Sequence, residues 1–533
     1  MGDEAPRRIP TEDVPRLKSR DYRRLLRRTT LRRVPVSKAL ELLGRLIDAA
    51  FDRRELEGLA HALVLAGEFS TRRLTPQQEI TLHYFVGNIW SSIKVLKRAG
   101  TPDSWSWEQE EIEHEITNLR LALNHPDFNN TEEYRRCQIL TNLGNLLDNV
   151  GRFVEAQEYW KRALQIMPNF GMGLGNRGSG LLVYARAIPR RHDSIAMLDA
   201  AQTMVGAALR SRMIHSTARE YFSKQKSKIE GLVRRNASTK HRFDFYKSLG
   251  TSETEKRYRR WCLSNCLFLN YLNDLDERSW ASGDNVMLPP ITRPIGEPLH
   301  FEGLYNELKQ GFVSARYLCF DAITVQRVHF SDKRVVLYDT LDCPSYSIAV
   351  EKLKAAYRIA YSVFDKIAFF LNSYLRLGIK EYQVTFRTIW YDNRRREKGL
   401  RSEFTNRQNW ALRGLFWLGK DLFEDADGFR KAIEPDAQEL KIIRDHIEHK
   451  YLKVVELEEL PFLTDSFRDM LAFKISRNDL HAKTLRVLKM ARAGLLYLSV
   501  AIYWEEVRRN IERPKNQPIG EFHLGTVDDR VKI

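Results

Sequence analysis

In residues 140–168, small and apolar residues have the spacing that is typical of two antiparallel helices. This pattern constrains the fold more than any other feature of the chain. Small or apolar residues recur at the offsets at which two helices of a pair face each other: Leu140, Leu143, Gly144, Leu147, Gly151, Ala156, Trp160, Ala163 and Pro168. Small residues let the helices approach closely, and Pro168 ends the second one. A single pair cannot bury its own apolar face, so the pattern predicts further pairs stacked on it.

These nine positions resemble the tetratricopeptide family, whose repeats are such helix pairs. Helical periodicity also occurs in six neighbouring stretches: 39–50, 54–66, 76–97, 106–123, 195–209 and 216–233. We therefore predict a tetratricopeptide-like helical array over residues 37–235. The glycine-rich stretch Gly171–Gly180 begins a helix of this array with no strand before it, so we interpret it as a packing feature rather than a phosphate-binding loop.

The remaining chain predicts four further regions. Residues 1–36 are predicted as a basic flexible arm, 236–346 as an irregular connector, 347–513 as a four-helix bundle and 514–533 as a tail. The bundle helices are predicted over Ser347–Leu377, Asn406–Phe423, Pro435–Val455 and Leu480–Arg513. Short β-branched runs in Val325–Tyr338 suggest a small hairpin within the connector. The predicted fold class is therefore mostly all-α, an array followed by a bundle.

The chain carries 86 Lys and Arg residues against 69 Asp and Glu residues, a formal charge of +17. The positive charge is concentrated in clusters, of which Arg394, Arg395, Arg396 and Lys398 lie inside the predicted bundle. Such clusters favour a phosphate backbone as partner. Five cysteines in 533 residues are not a disulfide framework. The longest apolar run, Ala493–Trp504, is too short to cross a bilayer. We expect a cytoplasmic protein without membrane contact.

One segment of the third bundle helix combines the residues needed for acid–base chemistry. On a helix, Leu440, Ile443 and Ile447 fall on one side, while Arg444 and His449 lie away from it. Asp445 precedes His449 by four residues, so its carboxylate is predicted to orient that imidazole. The same spacing of Arg and His also occurs at Arg120–His125 and Arg210–His215. A solvated face of ion pairs therefore remains an alternative interpretation.

The segment Arg444-Asp445-His446-Ile447-Glu448-His449, in a C-terminal helical bundle, resembles the active motif of the HEPN superfamily (higher eukaryotes and prokaryotes nucleotide-binding). The wider chain is similar to a bacterial family of HEPN proteins with N-terminal tetratricopeptide-like helices, over roughly Arg260–Arg513. The resemblance implies a metal-independent endoribonuclease that acts as a dimer in a toxin or anti-phage system. It implies Arg444 and His449 as the catalytic pair, with Asp445 as the polar orienting residue; His446 is a weaker candidate.

These expectations define the predicted activity and partners. The substrate is RNA, which Arg394, Arg395, Arg396 and Lys398 help to hold, and neither a metal nor another cofactor is required. The bundle forms a homodimer, and the array binds a protein partner or trigger. Two other functions stay open at this point: an adaptor whose bundle only dimerises, and a regulator that binds a nucleotide.

Overall fold

The computed structural model describes residues 17–236, 248–325, 327–340, 342–456, 469–514, 520 and 522–532. Within these ranges the chain forms seventeen α-helices and a single sheet of two strands. The predicted all-α class is thereby confirmed. No helix in the described ranges combines the length and the apolar character that crossing a bilayer demands.

The first ten helices run from residue 19 to residue 235. They are α1 (Ser19–Leu26), α2 (Val36–Asp52), α3 (Leu56–Gly67), α4 (Pro76–Arg98), α5 (Glu110–Leu123), α6 (Glu133–Asn149), α7 (Phe153–Ile166), α8 (Gly171–Ala187), α9 (Arg191–Arg210) and α10 (Ser216–Arg235). Helices that follow each other in sequence pack together, most extensively α4 with α5, α6 with α7 and α8 with α9. The six further helical stretches predicted from periodicity all correspond to helices of this set.

The glycines of α8 serve close packing, as the sequence predicts. Gly175 touches the ring of Phe222 on α10, and Gly180 touches the ring of Trp160 on α7, so closely that a Cβ atom at either position would overlap the ring. Helices α7 and α10 can therefore both pack closely against α8.

The prediction of a flexible basic arm is wrong for the described residues 17–36. Here the chain forms α1, whose Tyr22 and Leu25 are buried in the core. The Tyr22 hydroxyl donates a hydrogen bond to Glu55 at 2.6 Å. The basic residues of α1 lie on its outer side, and the apolar residues between them anchor the helix to the array. Residues 1–16 lie outside the described ranges.

The C-terminal part contains seven helices and both strands. They are α11 (Glu253–Ser264), α12 (His300–Thr324), α13 (Ile348–Tyr374), α14 (Ser402–Thr405), α15 (Trp410–Gly419), α16 (Ala437–His449), β1 (Tyr451–Val455), β2 (Ala472–Ser476) and α17 (Arg477–Glu512). Helix α13 lies at the centre of the bundle and packs against α12, α16 and α17, and α15 also packs against α17. The described part of the predicted tail, at 514, 520 and 522–532, is exposed.

The prediction of an irregular connector over 236–346 is wrong for much of its length. Helix α12 has 25 residues and packs along α13 and α17 as a full member of the bundle. The hairpin predicted within Val325–Tyr338 is also absent from the described residues 327–338, which contain only a short 3₁₀ turn at Phe330–Asp332. The bundle therefore begins near residue 300 rather than at 347.

The third predicted bundle helix is shorter than expected. Its predicted range, Pro435–Val455, divides into helix α16, which ends at His449, and strand β1. Strand β1 pairs in parallel with β2, with Tyr451 opposite Ala472 and Val455 opposite Ser476. The aromatic and β-branched residues of β1 suit a strand once this partner is present.

The array and the bundle meet in one continuous hydrophobic core. The indole of Trp410 on α15 donates a hydrogen bond to the carbonyl oxygen of Asp148 at 2.9 Å and stacks on Phe153, with ring centroids 4.8 Å apart. Next to it, Gly151 has φ +91° and lies against Gly414 of α15, backbone to backbone. This approach is possible because neither residue has a Cβ atom.

We expect Gly414→Ala to lower the free energy of unfolding by about 1–3 kcal/mol, the usual cost of overpacking. The new methyl group would overlap the carbonyl oxygen of Gly151, and the contacting atoms are backbone atoms that cannot turn away. Urea unfolding measures the change. The matched control is Gly231→Ala on α10, where a Cβ atom meets nothing within 4 Å and helix propensity favours alanine. Equal changes in the two variants would contradict a close backbone contact.

Candidate active site

Helix α16 is fixed by the apolar side that it turns toward the bundle. Leu440 and Ile443 are buried, and the hydroxyl of Tyr357 on α13 donates a hydrogen bond to the carbonyl oxygen of Leu440 at 2.6 Å. Arg444 is half-buried, whereas His449 is exposed at the last position of the helix. The predicted arrangement, an apolar stripe with a charged ridge beside it, is thus present in α16.

The predicted contact between Asp445 and His449 is not made. One carboxylate oxygen of Asp445 accepts a hydrogen bond from Lys441 at 2.6 Å, and the other accepts one from Arg444 at 3.1 Å. Partial burial opposes ionisation, but the hydrogen bonds from Lys441 and Arg444 outweigh it and lower the pKa of Asp445. Lys441 lies one turn before Asp445 and forms the hydrogen bond that was predicted for His449. Asp445 therefore orients Arg444 rather than the imidazole.

Arg444 also faces acidic groups from other elements, which sequence reasoning did not identify. Asp365 on α13 and Glu424 both interact electrostatically with its guanidinium. Burial raises the pKa of each of these carboxyls, and for Glu424 the charge of Asp365 adds to the effect. Burial of Arg444 itself opposes its charge, but the hydrogen bond to Asp445 outweighs this and raises its pKa. The guanidinium is therefore cationic throughout the physiological range.

The two histidines of the segment have different surroundings. Nδ1 of His446 lies 2.7 Å from the carbonyl oxygen of Ile442, and the ring centroid is 5.4 Å from that of Phe473 on β2. Because a carbonyl oxygen only accepts, Nδ1 carries the proton in this contact. The structure thus holds His446 in place, whereas the exposed His449 is free to meet a ligand.

Arg444 and His449 do not meet within one copy of the chain. Five residues on an α-helix correspond to about 7.5 Å along the axis and about 140° around it. No hydrogen bond joins the two side chains in the part of the chain that the structure describes.

The predicted RNA-holding cluster is only partly available. Arg396 donates hydrogen bonds to Glu108 at 3.1 Å and to Glu113 at 2.8 Å, and both carboxylates also pair with Lys420. Arg396 thus connects the array to the bundle, and its role in holding RNA stays a prediction. Arg395 and Lys398 are exposed, and Arg394 is half-buried with φ +58°. Within the described ranges no hydrogen bond or ion pair joins this cluster to α16.

The described residues contain no group of three or more His, Cys, Asp or Glu side chains placed to hold a metal ion. Cys262 is buried, and burial raises the pKa of its thiol to about 12.

Part of the chain matches a known protein family. Residues 293–505 match the family model described as LA2681-like HEPN. This range contains α12 to α16, both strands and most of α17. It supports a C-terminal HEPN domain and begins at residue 293, in agreement with the position of α12 rather than with the predicted boundary at 347. Neither the curated proteins nor the solved structures give a match to the chain.

Proposed function

We propose that the protein is a metal-independent endoribonuclease of the HEPN type. The observation that carries this proposal is the position of the Arg444–His449 segment: it lies inside the range that matches the HEPN family, on a ridge left uncovered by the bundle. A half-buried guanidinium and an exposed imidazole are combined there. The chemistry available to these groups is phosphate binding and proton transfer.

In the proposed reaction the 2′-oxygen of a ribose attacks the adjacent phosphorus, and the bond from phosphorus to the 5′-oxygen breaks. An imidazole accepts the proton of the 2′-hydroxyl, and an imidazolium donates a proton to the 5′-oxygen. Arg444 holds a non-bridging oxygen and stabilises the charge that develops at phosphorus. The products are a 2′,3′-cyclic phosphate and a 5′-hydroxyl. Asp445 acts as a positioning residue for Arg444.

The reaction is proposed to take place between two copies of the chain. Arg444 and His449 lie about 140° apart around α16, and a second ridge opposite the first would enclose a phosphate between them. A two-fold axis would place two such ridges face to face and supply two imidazoles. We propose in addition that the array binds a protein trigger, and that the enzyme is a cytoplasmic toxin or anti-phage effector.

The decisive experiment incubates the full chain with structured and unstructured RNA in the presence of EDTA. We expect cleavage that EDTA does not prevent and that falls at least about 100-fold in His449→Ala and in Arg444→Ala, the loss typical for a removed acid–base or phosphate-binding group. Cyclic phosphate ends identify the reaction. The matched control is Arg210→Ala with His215→Ala, which has the same spacing on the array and should cleave normally. Cleavage that EDTA abolishes, or that equals wild type in His449→Ala, would contradict the proposal.

A non-catalytic adaptor is the second candidate, and one observation favours it. Arg444 is hydrogen-bonded to Asp445 and faces Asp365 and Glu424, so its charge is partly compensated before any ligand binds. An adaptor would show no RNA cleavage under any condition, with or without its trigger. Arg444→Ala would then leave dimerisation and partner binding unchanged.

A further inference from the structure

A cavity at one end of the bundle brings five arginine side chains together. It has a volume of about 580 Å³, within the usual range of small-molecule sites. The arginines come from distant parts of the chain, before α12, after α13, before α15 and at the end of α17: Arg293, Arg376, Arg407, Arg509 and Arg513. His300 also lines the cavity, and so do the carboxylates Glu297 and Glu512. Among the described residues of the wall, positive charge is therefore in excess.

Three of these arginines are held by carboxylates that lie behind the wall. Arg407 donates a hydrogen bond to Glu505 at 3.1 Å, and Arg509 donates one to Glu506 at 2.8 Å. Both carboxylates are buried, and neither lines the cavity. Arg293 is paired in the same way with a half-buried carboxylate of α12. Because a guanidinium has five N–H donors, each of these groups keeps donors for a ligand.

The carboxylate of Glu506 also joins the elements that form the wall. It accepts a hydrogen bond from the hydroxyl of Tyr374 on α13 at 2.6 Å and one from the backbone N–H of Thr292 at 2.9 Å. A single buried group on α17 thus fixes the end of α13 and the segment before α12. The arginines are therefore held on a preformed frame, which lowers the cost of ordering them around a ligand.

The remaining two arginines, Arg376 and Arg513, have no carboxylate partner in the described ranges. Arg513 donates a hydrogen bond to the side chain of Asn510 at 3.0 Å, and Arg376 is exposed with φ +54°. Helix α12 begins at the cavity with His300, and no described side chain caps its first N–H groups. An uncapped helix N-terminus attracts anions. Two uncompensated guanidinium groups and a helix N-terminus therefore adjoin the same space.

We propose that the cavity binds a small molecule that carries two or more linked phosphate groups. The planar guanidinium of arginine fits pairs of phosphate oxygens, and guanidinium groups on several sides of one space suit a compact ligand with several negative charges. The cavity lies apart from the ridge of α16. Asp365, which faces Arg444, precedes Tyr374 by nine residues, about 14 Å along α13. The inference does not rest on the proposed nuclease activity.

Isothermal titration calorimetry of the full chain in metal-free buffer tests the proposal, with tripolyphosphate and orthophosphate as probes. We expect the dissociation constant of tripolyphosphate to rise at least about 100-fold in Arg376→Gln with Arg513→Gln, since each lost hydrogen bond between charged groups costs about tenfold or more. The matched control is Arg257→Gln with Arg260→Gln, two exposed arginines of α11, which changes the net charge equally and should bind normally. No binding of tripolyphosphate, or equal dissociation constants in wild type and Arg376→Gln with Arg513→Gln, would overturn the proposal. Orthophosphate that binds as tightly as tripolyphosphate would also overturn it.

A gain of affinity provides a second readout that a loss of stability would not imitate. Glu297→Gln removes a negative charge from the wall and is expected to lower the dissociation constant of tripolyphosphate about threefold or more. An unchanged or higher dissociation constant in this variant would contradict the placement of the phosphates in the cavity.

Adenosine triphosphate distinguishes the possible sources of the phosphate chain. If it binds more tightly than tripolyphosphate and depends equally on Arg376 and Arg513, the chain belongs to a larger organic molecule. If it binds more weakly with the same dependence, the ligand is a free oligophosphate, and both results support the site. RNA that depends on these two arginines, in a protein that does not bind tripolyphosphate, would overturn the proposal in favour of a contact with RNA.

Discussion

Asp421→Ala is expected to lower the free energy of unfolding by about 3–5 kcal/mol, the cost of removing one partner from a buried ion pair. Asp421 follows α15 and is fully buried between two arginines of the array. Arg120 donates hydrogen bonds to it at 2.5 and 2.9 Å, and Arg152 approaches it at 2.6 Å. Burial alone would raise the pKa of this carboxyl, but Arg120 and Arg152 hold it well below its usual range. The alanine variant would leave two guanidinium groups buried without this carboxylate.

Urea unfolding of wild type and Asp421→Ala at pH 7 measures the loss. The control is Asp425→Ala, which removes a 3.1 Å ion pair with Arg430 whose side chains are both exposed; such pairs contribute at most about 1 kcal/mol. Because the pKa of Asp421 is lower in the folded state, its stabilisation is complete above the unfolded pKa of about 4 and is lost as the pH falls. A loss below 1 kcal/mol in Asp421→Ala would mean that Glu155 and Glu434 compensate both arginines.

Asp148→Asn is expected to stabilise the protein, by up to about 4 kcal/mol at pH 8. Asp148 lies near the C-terminal end of α6, and burial raises its pKa to about 7. Its Oδ1 atom is buried without a hydrogen-bond partner within the described ranges. A difference of about three pKa units from the unfolded value of about 3.9 corresponds to about 4 kcal/mol. Asparagine has nearly the same shape and no charge to bury.

The sign of this effect follows from the raised pKa. An acid whose folded pKa exceeds its unfolded pKa stabilises the fold below about pH 4, and this stabilisation is lost as the pH rises through about 7. Ionisation of Asp148 should therefore lower the free energy of unfolding of wild type between pH 4 and pH 8. The variant should not show this decrease. Urea unfolding at several pH values measures this difference. The control is Asp103→Asn, an exposed position, whose free energy of unfolding should stay within about 0.5 kcal/mol of wild type. Destabilisation by Asp148→Asn at pH 8 would show that the charged form has a compensating partner.

The helices of the array could be predicted because their signals are local. Apolar periodicity, the small residues at Gly144 and Gly151 and the helix-ending Pro168 all act within one helix pair. Helix α12 carries the same kind of signal, with apolar residues spaced by three and four positions: Tyr305, Leu308, Phe312, Ala315 and Cys319. Pro289, Pro290 and Pro294 precede α12 and favour irregular structure, but they do not interrupt the apolar periodicity that follows them.

The sheet and the details of the site could not be predicted in the same way. Whether Tyr451–Val455 continues α16 or forms a strand depends on Ala472–Ser476, which becomes its neighbour only in the folded chain. Similarly, Asp445 lies four residues from both Lys441 and His449, so spacing alone permits either contact. In the structure, the carboxylate of Asp445 accepts its hydrogen bond from Lys441. The acidic neighbours of Arg444 come from α13 and from residue 424, which are distant in sequence.

The interface between the array and the bundle has a consequence for how the chain can be divided. Trp410 and Arg413 of α15 donate hydrogen bonds to carbonyl oxygens of Asp148 and Ser106, and Lys420 is neutralised by array carboxylates. A fragment that begins at residue 293 would expose this indole and bring its buried cations into water without their partners. The limits of the HEPN match are therefore not the limits of a unit that folds by itself. Any partner that loosens the contact between the array and the bundle would therefore also destabilise the helices that support Arg444. The array and the bundle stabilise each other.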